Sequence, residues 1–149
     1  MSLNTTPVFP KTAILKSLAL TTQSACTTRA PTPTASLAAA NIIELLGTGV
    51  EQRQIDWIEV TAASSAIGAS TSNMLVQIWV WDGTTAFLRD EILVNAQIPS
   101  VSAESFSQKL SFTDFTLPKT HKILVSVTVA TTASTNALAV TLSGGEFEA

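Results

Sequence analysis

One histidine, His121, one cysteine, Cys26, and a scatter of serines and carboxylates are all that this sequence offers toward reactive chemistry. His121 would act as a general base only if a nucleophile and an orienting carboxylate converged on it. No GxSxG turn or comparable nucleophile setting occurs along the chain. Asp90 and Glu91 are adjacent, and neighbours in an extended strand point to opposite faces, which is wrong for a paired acid and base. Asp82 precedes Gly83 and reads as a turn residue. Cys26 has only Arg29 nearby to lower its pKa, and no CxxC or Cys/His spacing exists to hold zinc. Gly47 and Gly49 lack the third glycine and the helix of a dinucleotide loop, and neither GxxxxGKS nor GxxxxGKT is present. The reading is non-enzymatic, with no cofactor and no metal.

The side chains that could bind rather than react are aromatic. Trp79 and Trp81 share one face of a strand and could stack a sugar ring; equally, such residues pack under a loop or form a protein interface. A five-residue loop would set Trp79 opposite Arg89 for a cation–π contact. In the N-terminal segment, Pro7 and Pro10 flank Val8 and Phe9, removing backbone donors and biasing the chain toward extended conformation. Residues 1–11 therefore read as an arm, which either tucks under its own domain or reaches a neighbouring subunit. Val8, Phe9, Pro10, Trp79, Trp81 and Arg89 are the candidate partner contacts.

The element that positions the tryptophans is a hairpin from Asn73 to Ala96. Two β-rich runs flank Asp82-Gly83, the strongest short-range hairpin signal. Met74, Val76, Ile78 and Val80 form one apolar stripe, and Leu88, Ile92 and Val94 have matching parity on the return strand. Both stripes share a face only if the loop has an odd length, because a one-residue slip exchanges faces. Gln77, Trp79, Arg89 and Glu91 then occupy the other face.

Before the hairpin, Thr12–Thr22 reads as a strand, although Ile14, Leu15 and Leu18 also have helical spacing. Gln23–Ala35 is a Thr/Pro/Ala loop, extended and solvated. Asn41–Leu46 reads as a short strand. Ile55–Ala62 reads as another, with a bulge or a change of direction near Asp56 because Ile55 and Trp57 differ in parity from Ile58 and Val60. After the hairpin come a strand at Phe106–Phe112 and a turn region in which Phe115 and Leu117 cap the sandwich. A strand with Ile123, Val125, Val127 and Val129 inward follows. The last strand carries Leu138, Val140 and Leu142, and Gly144 and Gly145 end it. About eight short strands with turn signals at intervals of roughly ten residues predict an all-β, antiparallel, jelly-roll-like β-sandwich over residues 12–149.

Composition narrows the partners. The 149 residues are 13% charged with a net charge of −3, against an average charged fraction near 25%, and roughly a quarter are Ser or Thr. Scattered single cations give no footprint for a phosphate backbone, so nucleic acid is disfavoured. No secretory pattern opens the chain and no apolar run approaches a membrane span, so the expectation is assembly in a cytoplasm without a membrane partner. A mean hydropathy of +0.34 with so few charges implies that part of the surface is covered in an oligomer or larger assembly.

The segment WDGTTAFLRDEILV, preceded by IDWIEVTA and followed by TLPKTHKILVSV, resembles a group of small tailed-phage virion proteins, commonly capsid cement (decoration) proteins. The likeness covers an Asn/Thr/Pro arm at Asn4 to Pro10, an IxxIxV strand at Ile55, Ile58 and Val60, DGT at Asp82 to Thr84, and the Leu117-Pro118 turn. It implies a sandwich subunit bound to the outer surface of an icosahedral head in a virion assembled in the host cytoplasm. Its partners would be the major capsid protein and copies of itself, with a trimer favoured by the local three-folds and a dimer as the alternative. A head-fibre or tail component, or a carbohydrate-binding jelly-roll module, is the competing expectation.

Overall fold

The computed structural model describes residue 10 and residues 12–65 and 71–147. Among these residues nine strands follow in order: β1 (Thr12–Leu20), β2 (Thr32–Pro33), β3 (Ile43–Leu46), β4 (Arg53–Ala62), β5 (Met74–Trp81), β6 (Thr85–Val94), β7 (Ser107–Leu117), β8 (Lys122–Val127) and β9 (Leu138–Glu146). Among the described residues the helical content is one 3-10 turn at Thr34–Ser36. The strands form two antiparallel sheets, ordered β1-β9-β4-β7 and β2-β6-β5-β8-β3.

Setting aside the two-residue β2, the long strands pair first with last, second with seventh, third with sixth and fourth with fifth. That nesting is a long antiparallel ribbon rolled up on itself, the jelly roll. Only the β5–β6 hairpin stays within one sheet; each other connection between consecutive long strands changes sheet. Between the sheets lie the alternating aliphatic residues, including Ile55, Ile58, Val60, Val76, Ile78, Val125, Val140 and Leu142, all fully enclosed. Each such side chain contributes about 1.5–3 kcal/mol by leaving water.

The bulge at Asp56 is present: β4 slips register against both β7 and β9 between Ile55 and Trp57. Its consequence reaches β9. Gly144 and Gly145 lie inside that strand rather than ending it, because a Cβ on Gly144 would run into the carbonyl oxygen of Gln54 on β4. Likewise β7 continues through Phe115 to Leu117, where a turn region was expected, with Phe112 to Asp114 absorbing the slip opposite Asp56. Phe115 and Leu117 are buried as anticipated. Val129 is not part of β8, which ends at Val127, and it is exposed.

The hairpin departs from the sequence reading in one respect. Trp81 pairs with Ala86, leaving four residues in the loop, and a bulge at Arg89 restores the parity for Met74, Val76 and Ile78. Leu88 therefore lies opposite Trp79 on the outer face, not on the core stripe with Ile92 and Val94. Asp82 builds the loop: its Oδ1 accepts the backbone N–H groups of Thr84 and Thr85, both at 2.9 Å, and Gly83 takes φ +110°. These hydrogen bonds, together with one from the Thr84 hydroxyl, hold the Asp82 carboxyl below the usual carboxylate range.

A second core covers the outer face of the β5 sheet. The segment from residue 21 to 42, of which Gln23–Ala35 reads as a solvated loop, runs across that face and buries Cys26, Ile42, Trp79, Ala86 and Leu124. It is fastened by Cys26 N–H to the Val127 carbonyl at 2.7 Å and by the Asn41 side chain to the Ala25 carbonyl at 2.8 Å. Asn41 sits at φ 58°, a left-handed conformation that asparagine tolerates. Beneath it, the Trp79 indole donates to Ser126 and Ser126 to Gln77, both at 2.8 Å. Gln77 donates onward to the Thr28 carbonyl and to Glu91, which Arg29 reaches at 2.7 Å. Every polar group of this buried face thereby finds a partner, which is what makes a buried Gln and Ser tolerable.

Candidate functional site

One end of the sandwich is organised by a residue that sequence reading passed over. Arg53, at the start of β4, is 1% exposed. Its guanidinium donates to the carbonyls of Gly47, Pro118 (3.1 Å) and His121 (2.7 Å), tying the β3–β4 turn to the β7–β8 turn. Burial pulls its pKa down, and the nearby Glu146 carboxylate opposes that shift. Glu146 in turn accepts the N–H groups of Val50 and Glu51 at 2.7 and 2.8 Å. A planar cation with several fixed donors suits three convergent carbonyls, a role lysine could fill only in part. Nothing in the local sequence GTGVEQR marks this arginine as buried, since two of the three carbonyls it meets, those of Pro118 and His121, come from a distant turn.

The turns so fixed form two walls of a cleft of about 530 Å³, with Thr48, Gly49 and Val50 on one side and Lys119 and Thr120 on the other; Trp81 and Gly83 complete it. Trp81 is half-buried, with its indole N–H on Thr34 at 2.8 Å and Lys122 Nζ 5.0 Å from its ring. Lys122 also pairs with Glu44 at 2.8 Å. Pro10 is exposed and packs on Gly145, so the N-terminal segment enters β1 at this same end. His121 is on the β7–β8 turn, its ring 3.2 Å from the Thr120 hydroxyl.

The candidate contact residues do not form one patch. Val8 and Phe9 lie outside the described residues. Trp79 is fully buried under the 21–42 segment, which removes it both from a partner surface and from a sugar platform. Arg89 faces Trp79 neither in register nor in space: its guanidinium covers the rings of Phe112 and Phe115 at 4.8 and 3.9 Å and pairs with Asp90. That placement follows from the bulge, which turns Arg89 toward the open side between β6 and β7. Trp81 and Pro10 remain accessible at the cleft end.

The opposite end carries a feature that alternation could not reveal. Leu93 at the end of β6, Ile98 and Val101 in the β6–β7 connection, and Val129 after β8 are 50%, 69%, 109% and 39% exposed. Ser100 and Ala103 close a tight turn that presents Val101 at its tip. A third surface is the outer face of the β1-β9-β4-β7 sheet. There the register aligns Leu15, Ser143, Trp57 and Ser111 in one row, and Ser17, Thr141, Glu59 and Lys109 in the next. Among the described residues, no group of three or more His, Cys, Asp or Glu side chains could hold a metal ion, and no helix is long and apolar enough to cross a membrane. The chain matches no protein-family model, no curated protein and no solved structure.

Proposed function

We propose that this chain is a structural subunit of a tailed-phage particle, a capsid cement protein that binds the outer surface of the head and braces neighbouring capsomers. The observation that carries the reading is the apolar end, where Leu93, Ile98, Val101 and Val129, four of the seven large apolar side chains exposed among the described residues, are left in water. Side chains so exposed on a rigid jelly roll fit a surface that is covered in an assembly. The hydroxyl-rich outer sheet face adds many weak contacts, and repetition over a symmetric shell multiplies them. Binding only the mature lattice would stabilise that lattice by mass action.

The test is occupancy on heads assembled from the major capsid protein of the same genome. Saturable binding by the full chain, reduced by the double change Ile98→Asp and Val101→Asp, supports the proposal; heads that take up none of the protein refute it. Deleting residues 1–10 in the same assay asks whether the arm contributes, and unchanged occupancy would remove it from the contact. A head-fibre or tail position is distinguished by which purified particle part retains the chain. Trp81 keeps a second reading open, a glycan-binding module, because its indole lines the cleft. Loss of glycan retention on an array in Trp81→Ala would favour that module, and absence of binding to any glycan would retire it.

A further inference from the structure

We propose that β1 is the self-association edge of this protein, pairing antiparallel with β1 of a second copy about a two-fold axis to join the two sheets into one. The sheet edges differ in how they are protected, independently of the capsid reading. An unprotected edge strand displays a row of free backbone donors and acceptors, and proteins that stay monomeric blunt such edges with charge, proline, bulges or short length. Here β3 has four residues, carries Glu44 and slips register at Leu45. β2 has two residues, one of them Pro33. β6 is bulged at Arg89 and carries Arg89, Asp90 and Glu91 in succession. β7 is interrupted between Phe112 and Asp114, carries Lys109 and Asp114, and lies beneath the Arg89 guanidinium.

Of these devices β1 has only one, a single charge. Its nine residues pair with β9 in unbroken register from Thr12 to Leu20, without proline and with Lys16 as the single charge. Among the described residues no strand pairs with its outer side. The occupant follows from the strand's own pattern. Centring the two-fold on Lys16 would oppose two ammonium groups, which antiparallel pairs disfavour. Centring it on Leu15 sets Leu15 against its symmetry mate, Ile14 against Lys16 and Ala13 against Ser17. In that register no charge meets its like, and Leu15, now 68% exposed, is covered. An isologous contact of this kind closes at two copies, a dimer in place of the trimer that three-fold capsomer sites favour.

Sedimentation velocity and cysteine cross-linking on the full chain test the register directly. The native thiol, Cys26, is buried, so an added cysteine reports alone. Facing residues in an antiparallel pair have Cα atoms about 4.5–5.5 Å apart, within disulfide reach, so Leu15→Cys forms a covalent dimer under mild oxidation. Ala13→Cys does not, because four residues of stagger separate the two copies of position 13 by roughly 14 Å. Leu15→Lys weakens the dimer roughly tenfold or more by opposing like charges, and an equimolar mixture of Leu15→Lys and Leu15→Glu restores it. A monomeric or trimeric wild-type mass, or cross-linking at 13 in preference to 15, overturns the proposal.

Discussion

Replacing Arg53 by methionine tests whether one buried cation holds an entire end of the jelly roll. Methionine keeps most of the apolar stem and its packing while removing every donor. Three carbonyls, those of Gly47, Pro118 and His121, then lose their partner at a site where Arg53 itself is 1% exposed. A hydrogen bond to a charged group is worth about 1.5–3 kcal/mol, so three would suggest a larger sum than the variant will lose. Two effects reduce it: the guanidinium no longer has to be desolvated, and its Nε, buried without a partner, no longer counts against the fold. The net expectation is a loss of about 3–5 kcal/mol, a large share of the roughly 5–15 kcal/mol that a domain has in total. Arg53→Lys should recover about half, since an ammonium reaches one or two of the carbonyls but not all three. Urea unfolding followed by tryptophan fluorescence measures both, with the slope checked for constancy so that the midpoint reports stability alone. A loss below about 1 kcal/mol in Arg53→Met would refute the reasoning, because it would mean the carbonyls are satisfied by water once the cation has gone.

Two further outcomes follow from the same geometry. Gly144→Ala should cost about 3 kcal/mol by forcing β9 away from the Gln54 carbonyl at the β4 bulge; a loss well below about 1 kcal/mol in thermal melts would contradict the bulge argument. The Arg29 hydrogen bond, aided by Gln77 and opposed by burial, holds the Glu91 carboxyl below the ordinary glutamate range. The unfolded chain therefore takes up that proton at higher pH than the folded one, so the stability it supplies is complete above the usual carboxylate pKa and is lost as pH falls through the depressed value. Glu91→Gln should flatten that part of the stability profile, and urea midpoints across acid pH that keep the wild-type slope would show the ion pair to be inert.

Local pattern carried most of the fold. Alternation at Ile123, Val125 and Val127, the Asp82-Gly83 turn and the parity change at Asp56 depend on neighbours in sequence, and each is present in the sandwich. The sequence reading went astray where distant segments intervened: Gly144 is a glycine because the Gln54 carbonyl of β4 lies close by and Gly145 because Pro10 does, not because β9 stops there. Leu88 left the core stripe because the four-residue loop has an even length, and the bulge at Arg89 returns only Ile92 and Val94 to that stripe.

The candidate site was less legible for the same reason. The loop Gln23–Ala35 reads as solvated from its composition, yet the segment it belongs to, residues 21–42, buries Trp79 because the sheet beneath offers Ser126 and Gln77 to satisfy the indole and to anchor the Thr28 carbonyl. By itself, the amino-acid sequence determined that the chain would form short antiparallel strands around aliphatic stripes, since alternation is a property of adjacent residues. Only the tertiary structure decided which tryptophan stays accessible, why Arg53 is buried and which edge is left open, because burial and pairing are relations between segments that meet only after the ribbon has rolled up.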